Sequence, residues 1–303
     1  MAVPTVGTLN VEQFTSELIH QVRQEGSLIM PVAVEEQGYG EASSIERLDT
    51  SEEEAREVTD RFGYTQLDNP DHSRRWTYPT RKSWAVPYSR YDKTRQIVNP
   101  IDAYVQAHAE VQGRFYDDIW IAAAVGSVRE GKNGEESINF NTDYEIAAND
   151  ETRKTDKHEG SLLGKLIRAN EMLNRNQVSK MHRRYCILSA EEEAELLSED
   201  FVTTIDRNYK KTLPDAQLPM IYGFEFIVSE RLPVDANIRS LIAFAQPAVR
   251  MRIYEPLSVR VDERPDMNYL TQIYSDCELG AARTDDKQLI KILHPATSAS
   301  QGA

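Results

Sequence analysis

Asp117 and Asp118 stand side by side in FYDDIW, with Arg114 just before them and His108 further upstream. If those four groups converged, they could hold a metal or carry out general acid–base chemistry. Neighbouring positions on a helix point about a third of a turn apart, so the two carboxylates do not aim at one ligand. They read as solvent-exposed acids, one of them paired with Arg114 at helical spacing. His108 falls on an apolar stripe and reads as a core or interface histidine. His20, His72, His108, His158, His182 and His294 are scattered, and none forms the H-x-x-x-H or H-E-x-x-H spacing that places two imidazoles on one helix face. His158 reads as solvated surface in a mixed-charge loop.

Other catalytic patterns are missing as well. Lys165 follows Gly164, but the earlier glycine of a phosphate loop is absent. Neither G-x-G-x-x-G nor G-x-S-x-G occurs. Glu191, Glu192 and Glu193 open a helix, where carboxylates stabilise the positive end of the dipole. Arg183 and Arg184 could form an anion site, with paired surface charge as the alternative. Cys186 and Cys277 lie in apolar strand-like stretches and read as buried, reduced thiols. No catalytic residue, cofactor site or metal site is assigned.

The strongest binding signal is a change of charge along the chain. Residues 35–60 carry Glu35, Glu36, Glu52, Glu53 and Glu54 among ten acids, against Arg47 and Arg56. With so little apolar content this segment reads as an extended or mobile arm. The next stretch inverts: Arg74, Arg75, Arg81, Lys82, Arg90, Lys93 and Arg95 are interleaved with Trp76, Tyr78, Trp84, Tyr88 and Tyr91. Cations with aromatic rings suit nucleic acid, with charge on phosphates and rings on bases. They equally suit a ribbon that docks on an acidic neighbour, since Arg, Trp and Tyr are interface anchors. Opposite signs on one chain favour contact between identical copies. The candidate intersubunit residues are therefore Glu35, Glu36, Glu52, Glu53, Glu54, Arg74, Arg75, Trp76, Arg81, Lys82, Trp84 and Arg90.

The elements that must position these residues are legible in outline. Val11, Phe14, Leu18 and Val22 predict an amphipathic helix over 9–25, with Asn10 as its cap and Gly26 at its end. WTYPTRKSWAVPY alternates about a polar break and predicts a two-stranded ribbon, edge-like because Pro79 and Pro87 cannot donate to a ladder. Ile101, Tyr104, His108, Val111, Phe115, Ile119 and Ala122 predict a long helix over 101–125, about 36 Å in length. Gly126 closes it. Residues 127–160 read as a long loop with a short strand at 137–140. An α/β unit follows: helix 162–174, strand 185–188, helix 190–197 and strand 224–228. The last third is strand-rich, at 241–244, 249–254, 257–261, 268–278 and 289–293. PATSASQGA reads as a disordered tail.

The chain has 303 residues, 40% of them hydrophobic, enough for a sizeable core. Its net charge of −14 opposes binding to phosphate backbones unless cations are segregated. No apolar run reaches the ~18 residues of a membrane span. The N-terminus lacks a basic region followed by an apolar one, so no signal peptide is expected.

Read in order, FTSELIHQVRQEGSLIMPVA, NPIDAYVQAHAEVQGRFYDDIWIAAAVGSV, RRYCILSAEEEAELL, MIYGFEFIVSERLP and LGAARTDDKQLIKIL resemble the major capsid proteins of tailed bacteriophages. Each stretch is loose by itself, but the ordered set spans nearly the whole chain. The resemblance implies an α+β Hong Kong 97-type capsid fold. Residues 1–31 would be the N-terminal arm and 32–95 the extended loop over a neighbour. Residues 96–160 would be the peripheral domain with its spine helix, 161–239 the axial domain, and 240–303 the returning strands and C-terminal tail. It further implies hexamers and pentamers in an icosahedral shell, with portal, scaffolding and decoration proteins as partners. The shell would be assembled in the host bacterial cytoplasm and would enclose double-stranded DNA without sequence-specific binding, with no membrane. The absence of a long scaffolding segment before residue 10 implies a separate scaffold protein. Lys82 lies where some relatives are crosslinked, although an exposed lysine is its plain reading. Two alternatives remain. One is a cytosolic α/β enzyme with a site around Asp117, Asp118, Arg114 and His108. The other is a nucleic-acid-binding module using residues 74–95.

Overall fold

The computed structural model describes residues 26–49, 71–88, 101–149, 161–198 and 220–296, together with Glu57, Tyr64 and Leu67. The expected helix over 9–25, His158 and the tail beyond residue 296 lie outside the described residues, as do Glu52, Glu53, Glu54 and Arg90.

The long helix α1 spans Ile101–Val125, the predicted range. Its core-facing side is wider than the predicted stripe and rotated from it. Gln112, Tyr116, Asp117, Trp120, Ile121 and Ala124 join His108 and Phe115 in burial, while Ala122 is exposed. The helix is covered on more than one side, which widens the buried face beyond the stripe expected for a surface helix.

Under α1 lies a four-stranded sheet in the order β1-β12-β13-β4. Its strands are β1 (Val34–Gln37), β4 (Thr80–Tyr88), β12 (Val249–Arg264) and β13 (Leu270–Arg283). The two strands predicted at 249–254 and 257–261 are one strand. Pro256 falls at a register irregularity between Glu255 and Ser258, so the ladder bulges there and continues.

A second sheet holds β2 (Ser43–Asp49), β3 (Asp71–Thr77), β5 (Val128–Glu130) and β6 (Glu136–Ile138) in that order. The expected ribbon within 76–88 is therefore not formed. β3 pairs with β2 and β5, whereas β4 pairs with β13. Pro79 sits at the break, and the chain changes sheets there. Gly280 makes the crossing possible, because a Cβ on it would lie 2.7 Å from the Tyr78 carbonyl oxygen. β4 is an edge strand among the described residues, as Pro87 within it requires.

The third sheet runs β7-β14-β11-β8-β9, with β10 paired to β11. Its members are β7 (Glu145–Ile146), β8 (Arg184–Leu188), β9 (Phe224–Val228), β10 (Val234–Asp235), β11 (Ile238–Ala245) and β14 (Leu289–Pro295). Helices α2 (Leu162–Arg175) and α3 (Ala190–Ser198) accompany it. β8 and β9 are parallel and joined through α3, as the α/β reading expects. Ser189 and Glu192 form a capping box at α3: the Ser189 amide donates to Glu192 at 3.0 Å. Cys186 and Cys277 are buried free thiols. Burial raises their pKa values to about 12 and about 11.

One apolar core runs from α1 into the third sheet. Trp120 packs on Phe244 with ring centroids 4.7 Å apart, and Leu166, Ile187, Leu241 and Ile290 continue the same cluster. The residues ahead of β1 dock on α1 at one point. Asp117 accepts hydrogen bonds from the Leu28 and Ile29 amides, both at 3.2 Å, and from the Ser27 hydroxyl. Gly113, one turn earlier, leaves room for the chain. A Cβ there would stand 2.5 Å from the Gly26 carbonyl carbon and 2.7 Å from the Ser27 nitrogen.

Gly113→Ala separates the two effects of that glycine. Helix propensity alone would stabilise by about 1 kcal/mol. The clash with backbone outweighs it, for a net loss of about 1–3 kcal/mol. Thermal denaturation reads the outcome, and a raised melting temperature would contradict the close approach.

Candidate functional site

The charged residues expected to meet a neighbour are largely engaged within the chain. Glu35 accepts from the Tyr116 hydroxyl at 2.7 Å. Glu36 holds Arg250 and, at 2.7 Å, Arg252. Arg74 meets Glu46 at 2.5 Å across the β2–β3 ladder, and Arg81 meets Asp276 at 2.5 Å across β4–β13. The Trp76 indole donates to the Gly131 carbonyl at 2.8 Å. Lys82 is exposed, with its ammonium 4.6 Å from the centre of the Phe115 ring. Trp84 packs on His108, ring centroids 4.1 Å apart.

Arg75 is the exception in depth. It is 2% exposed and belongs to a cluster that joins three parts of the fold. Its guanidinium meets Asp286 at 2.6 Å, Glu130 at 3.2 Å and the Arg283 carbonyl at 2.8 Å. Arg283 is fully buried, shares Asp286, and donates to the Ala124 and Gly126 carbonyls at 3.0 and 2.9 Å. Those are end-of-helix acceptors, and α1 has no basic residue in its last turn, so Arg283 supplies the cation from another strand. Burial opposes ionisation of Asp286, but Arg75 and then Arg283 hold its pKa below the usual carboxylate range. Burial also opposes charge on Arg75, which Asp286 and Glu130 outweigh; its pKa is raised. Arg283 has Asp286 as its carboxylate partner and Arg75 nearby, so burial leaves its pKa lowered.

The possible catalytic cluster does not assemble. His108 and Asp117 are separated by about 14 Å of helix rise. The expected exposure of Asp117 is overturned, Asp118 stays partly exposed, and the ion pair expected with Arg114 goes to Arg231. Asp117 is fully buried, and Asp118 forms a bidentate pair with Arg231, both contacts at 2.5 Å. Arg114 instead meets Glu110 at 4.0 Å. A sequence shows which positions share a helix face, but not that residues 27–29 and 231 return to it. His108 is buried, with Nδ1 2.6 Å from the Ser275 hydroxyl, and burial lowers its pKa. Among the described residues no group of three or more His, Cys, Asp or Glu is placed to hold a metal.

Sequence reasoning missed the buried cluster of Arg75, Arg283 and Asp286. It also missed Arg239, which meets Glu192 at 2.7 Å and Glu191 at 3.0 Å. The S-x-x-E spacing of Ser189 and Glu192 was a readable signal for the second; nothing local marks the first. Lys165, dismissed as a phosphate-loop lysine, is buried and donates to the Leu293 carbonyl at 2.9 Å beside His294.

The described charged residues brace sheets and helix against one another. The phage capsid protein family matches residues 6–295, and the chain belongs to that family. It is a structural protein of the virion and forms the shell of the phage head in many copies. Solved structures share the fold. The capsid of cyanophage P-SCSP1u is similar with a TM-score of 0.75 and 12% identity, covering 98% of this chain and 96% of that one. The capsid of Ralstonia phage GP4 has a TM-score of 0.71 and 12% identity over 100% of both chains. The mature capsid of bacteriophage PhiM1 has a TM-score of 0.70 and 12% identity, covering 95% and 92%. No curated protein sequence matches this chain.

Asp286→Asn leaves two buried guanidinium groups short of their shared anion and should cost about 3–5 kcal/mol. Because folding lowers the Asp286 pKa, its contribution is complete above the unfolded value near ~3.9 and is withdrawn as pH falls through the lower folded value. Denaturant titrations at pH 7 and pH 3 should show the wild-type advantage over Asp286→Asn shrinking in acid. An equal gap at both pH values would contradict this.

Proposed function

We propose that this chain is the major shell subunit of a tailed phage, closing as hexamers and pentamers into an icosahedral head and acting without catalysis. Residues 1–31 serve as an N-terminal arm and 32–95 as the loop that extends over a neighbour. Residues 96–160 hold the spine helix of a peripheral domain, 161–239 form the axial domain, and 240–303 return strands to the periphery. The shell assembles in the host cytoplasm with scaffolding and portal proteins and encloses double-stranded DNA without reading its sequence.

One observation carries this reading. β1 covers the edge of β12 only between Arg250 and Ile253, and no described strand takes that edge further out. The uncovered half presents Leu257 and Val261, 42% and 46% exposed, and leads to Met267 and Tyr269, 50% and 62% exposed. An open edge with apolar side chains is a liability for a solitary protein and a docking strip for a repeated one. Arg81, Lys82 and Glu35 remain at the surface. They are proposed to meet neighbours, along with Glu52, Glu53, Glu54 and Arg90, while Arg75 acts inside the subunit. The cations of residues 74–81 meet carboxylates already, which favours protein contact over nucleic acid.

Electron microscopy of the purified protein, alone and with its neighbouring gene products, should show rings of five and six or closed shells. A rigid monomer under all these conditions would overturn the reading. So would a tight DNA complex of the isolated subunit whose affinity falls steeply with salt.

A further inference from the structure

The third sheet has two chemically opposite ends. At one end the parallel strands β8 and β9 begin. Arg184, the first residue of β8, is 6% exposed. Its guanidinium donates to the side-chain oxygens of Asn170 and Asn174 and to the Val178 carbonyl, none of which is a carboxylate. Its Nε has no partner among the described residues. Burial lowers its pKa with no acid to offset the effect. Arg184 lines a cleft of about 370 Å³ whose rim carries exposed Lys180 and Arg183. Among the described residues Glu225 is the one carboxylate in the lining, 3.9 Å from Arg183.

The same rim is apolar. Met181 is 94% exposed, Met220 62% and Tyr222 36%. Tyr222 and Gly223 form a two-residue turn closed by reciprocal backbone bonds between Ile221 and Phe224, both with positive φ. Such turns favour Asn or Gly at the first position, so Tyr222 holds its ring at the rim against a local cost. Cations in excess over the described carboxylates, among exposed apolar side chains, are the makeup of a contact surface.

At the other end, about 16 Å away along five-residue strands, β8 and β9 finish. Glu230 follows β9, α3 begins with Glu191 to Glu193, and Asp235 lies on β10 beside the start of β11. Arg239 here is buried against Glu191 and Glu192, and Arg231 is held by Asp118, so Glu193, Glu230 and Asp235 are left to set the sign of the exposed surface. Val234, 47% exposed, adds an apolar contact.

We propose that the Lys180–Arg183–Arg184 cleft of one subunit receives the Glu193–Asp235 end of the next copy around a ring. The two surfaces differ and sit at opposite ends of one rigid sheet. Their contact is therefore head-to-tail, the type that closes rings when the rotation fits. This deepens the shell reading and rests on it.

The test is the full-length chain carrying K180E and R183E, assembled where the native chain closes shells and imaged by electron microscopy. The assembled fraction should fall about tenfold or more, because like charges now face each other. Circular dichroism melting should be unchanged. Adding E193K and D235K to the same chain should restore shells. Mixing K180E/R183E subunits with E193K/D235K subunits should restore six-membered rings, in which the two alternate, but not five-membered ones. The contact is overturned if K180E/R183E assembles like native. It is equally overturned if neither the four-fold variant nor the mixture recovers rings. Shells of K180E/R183E that close normally but retain no DNA would assign the cleft to phosphate groups instead. A native chain that never assembles counts against the shell reading itself, so the two failures are distinguishable.

Discussion

Two guanidinium groups almost without solvent, Arg75 and Arg283, share the carboxylate of Asp286, and the arrangement of the sheets hangs on that junction. Arg75 comes from β3, in the sheet that leads out along residues 43–77. Arg283 ends β13, the strand beneath the long helix, and its second hand caps the carbonyls at the helix end. Asp286 opens the turn into β14, in the third sheet. Breaking a buried pair of this kind costs several kcal/mol, whereas replacing it wholesale by apolar residues often costs nothing. Its value lies in direction. A guanidinium fork accepts partners only in its own plane, so it sets an angle between sheets that apolar packing would leave free.

The long helix is held in the same manner along its length. Asp117 fixes the incoming chain at Ser27 to Ile29, and Gly113 lets that chain lie against the helix backbone. One position on, Asp118 turns to another side of the helix and takes Arg231 beyond β9. Adjacent carboxylates thus bind segments some two hundred residues apart in the chain, which is what adjacent helix positions can do and what a shared ligand site cannot. The aromatic contact of Trp120 with Phe244 supplies the apolar share of the same joint.

What could be read from the sequence follows from the range of each signal. Helix α1 matched its predicted bounds, and β9 did too, because periodicity and end residues are local. The α+β class and capsid fold rested on the order of such segments, and that order holds. The ribbon over 76–88 failed because alternation reports that a segment is extended but not which sheet it joins. Pro79 marked the break correctly, yet Gly280, which permits the crossing, lies some two hundred residues away. Asp117 and Arg75 were misplaced in depth for the same reason. A charged residue is buried only when distant partners arrive, and nothing within a few positions announces Ser27 or Asp286.

The distribution of charge bears on how a subunit with a net −14 can pack against its own copies. Summed over many subunits, that charge opposes assembly. Repulsion between exposed charges farther apart than about 8 Å is largely screened at physiological ionic strength, while contacts at hydrogen-bond distance are not. Association is therefore favoured where apolar surface is buried, as along the open edge of β12, and where cations are gathered into places that touch. Among the described residues of the 74–88 stretch, Arg74, Arg75 and Arg81 meet carboxylates of the same chain, which leaves Lys82 for that purpose. The exposed cations at the start of β8, with Glu225 3.9 Å from Arg183, and the ammonium of Lys82 carry weight out of proportion to their number, because a net negative surface works against contact.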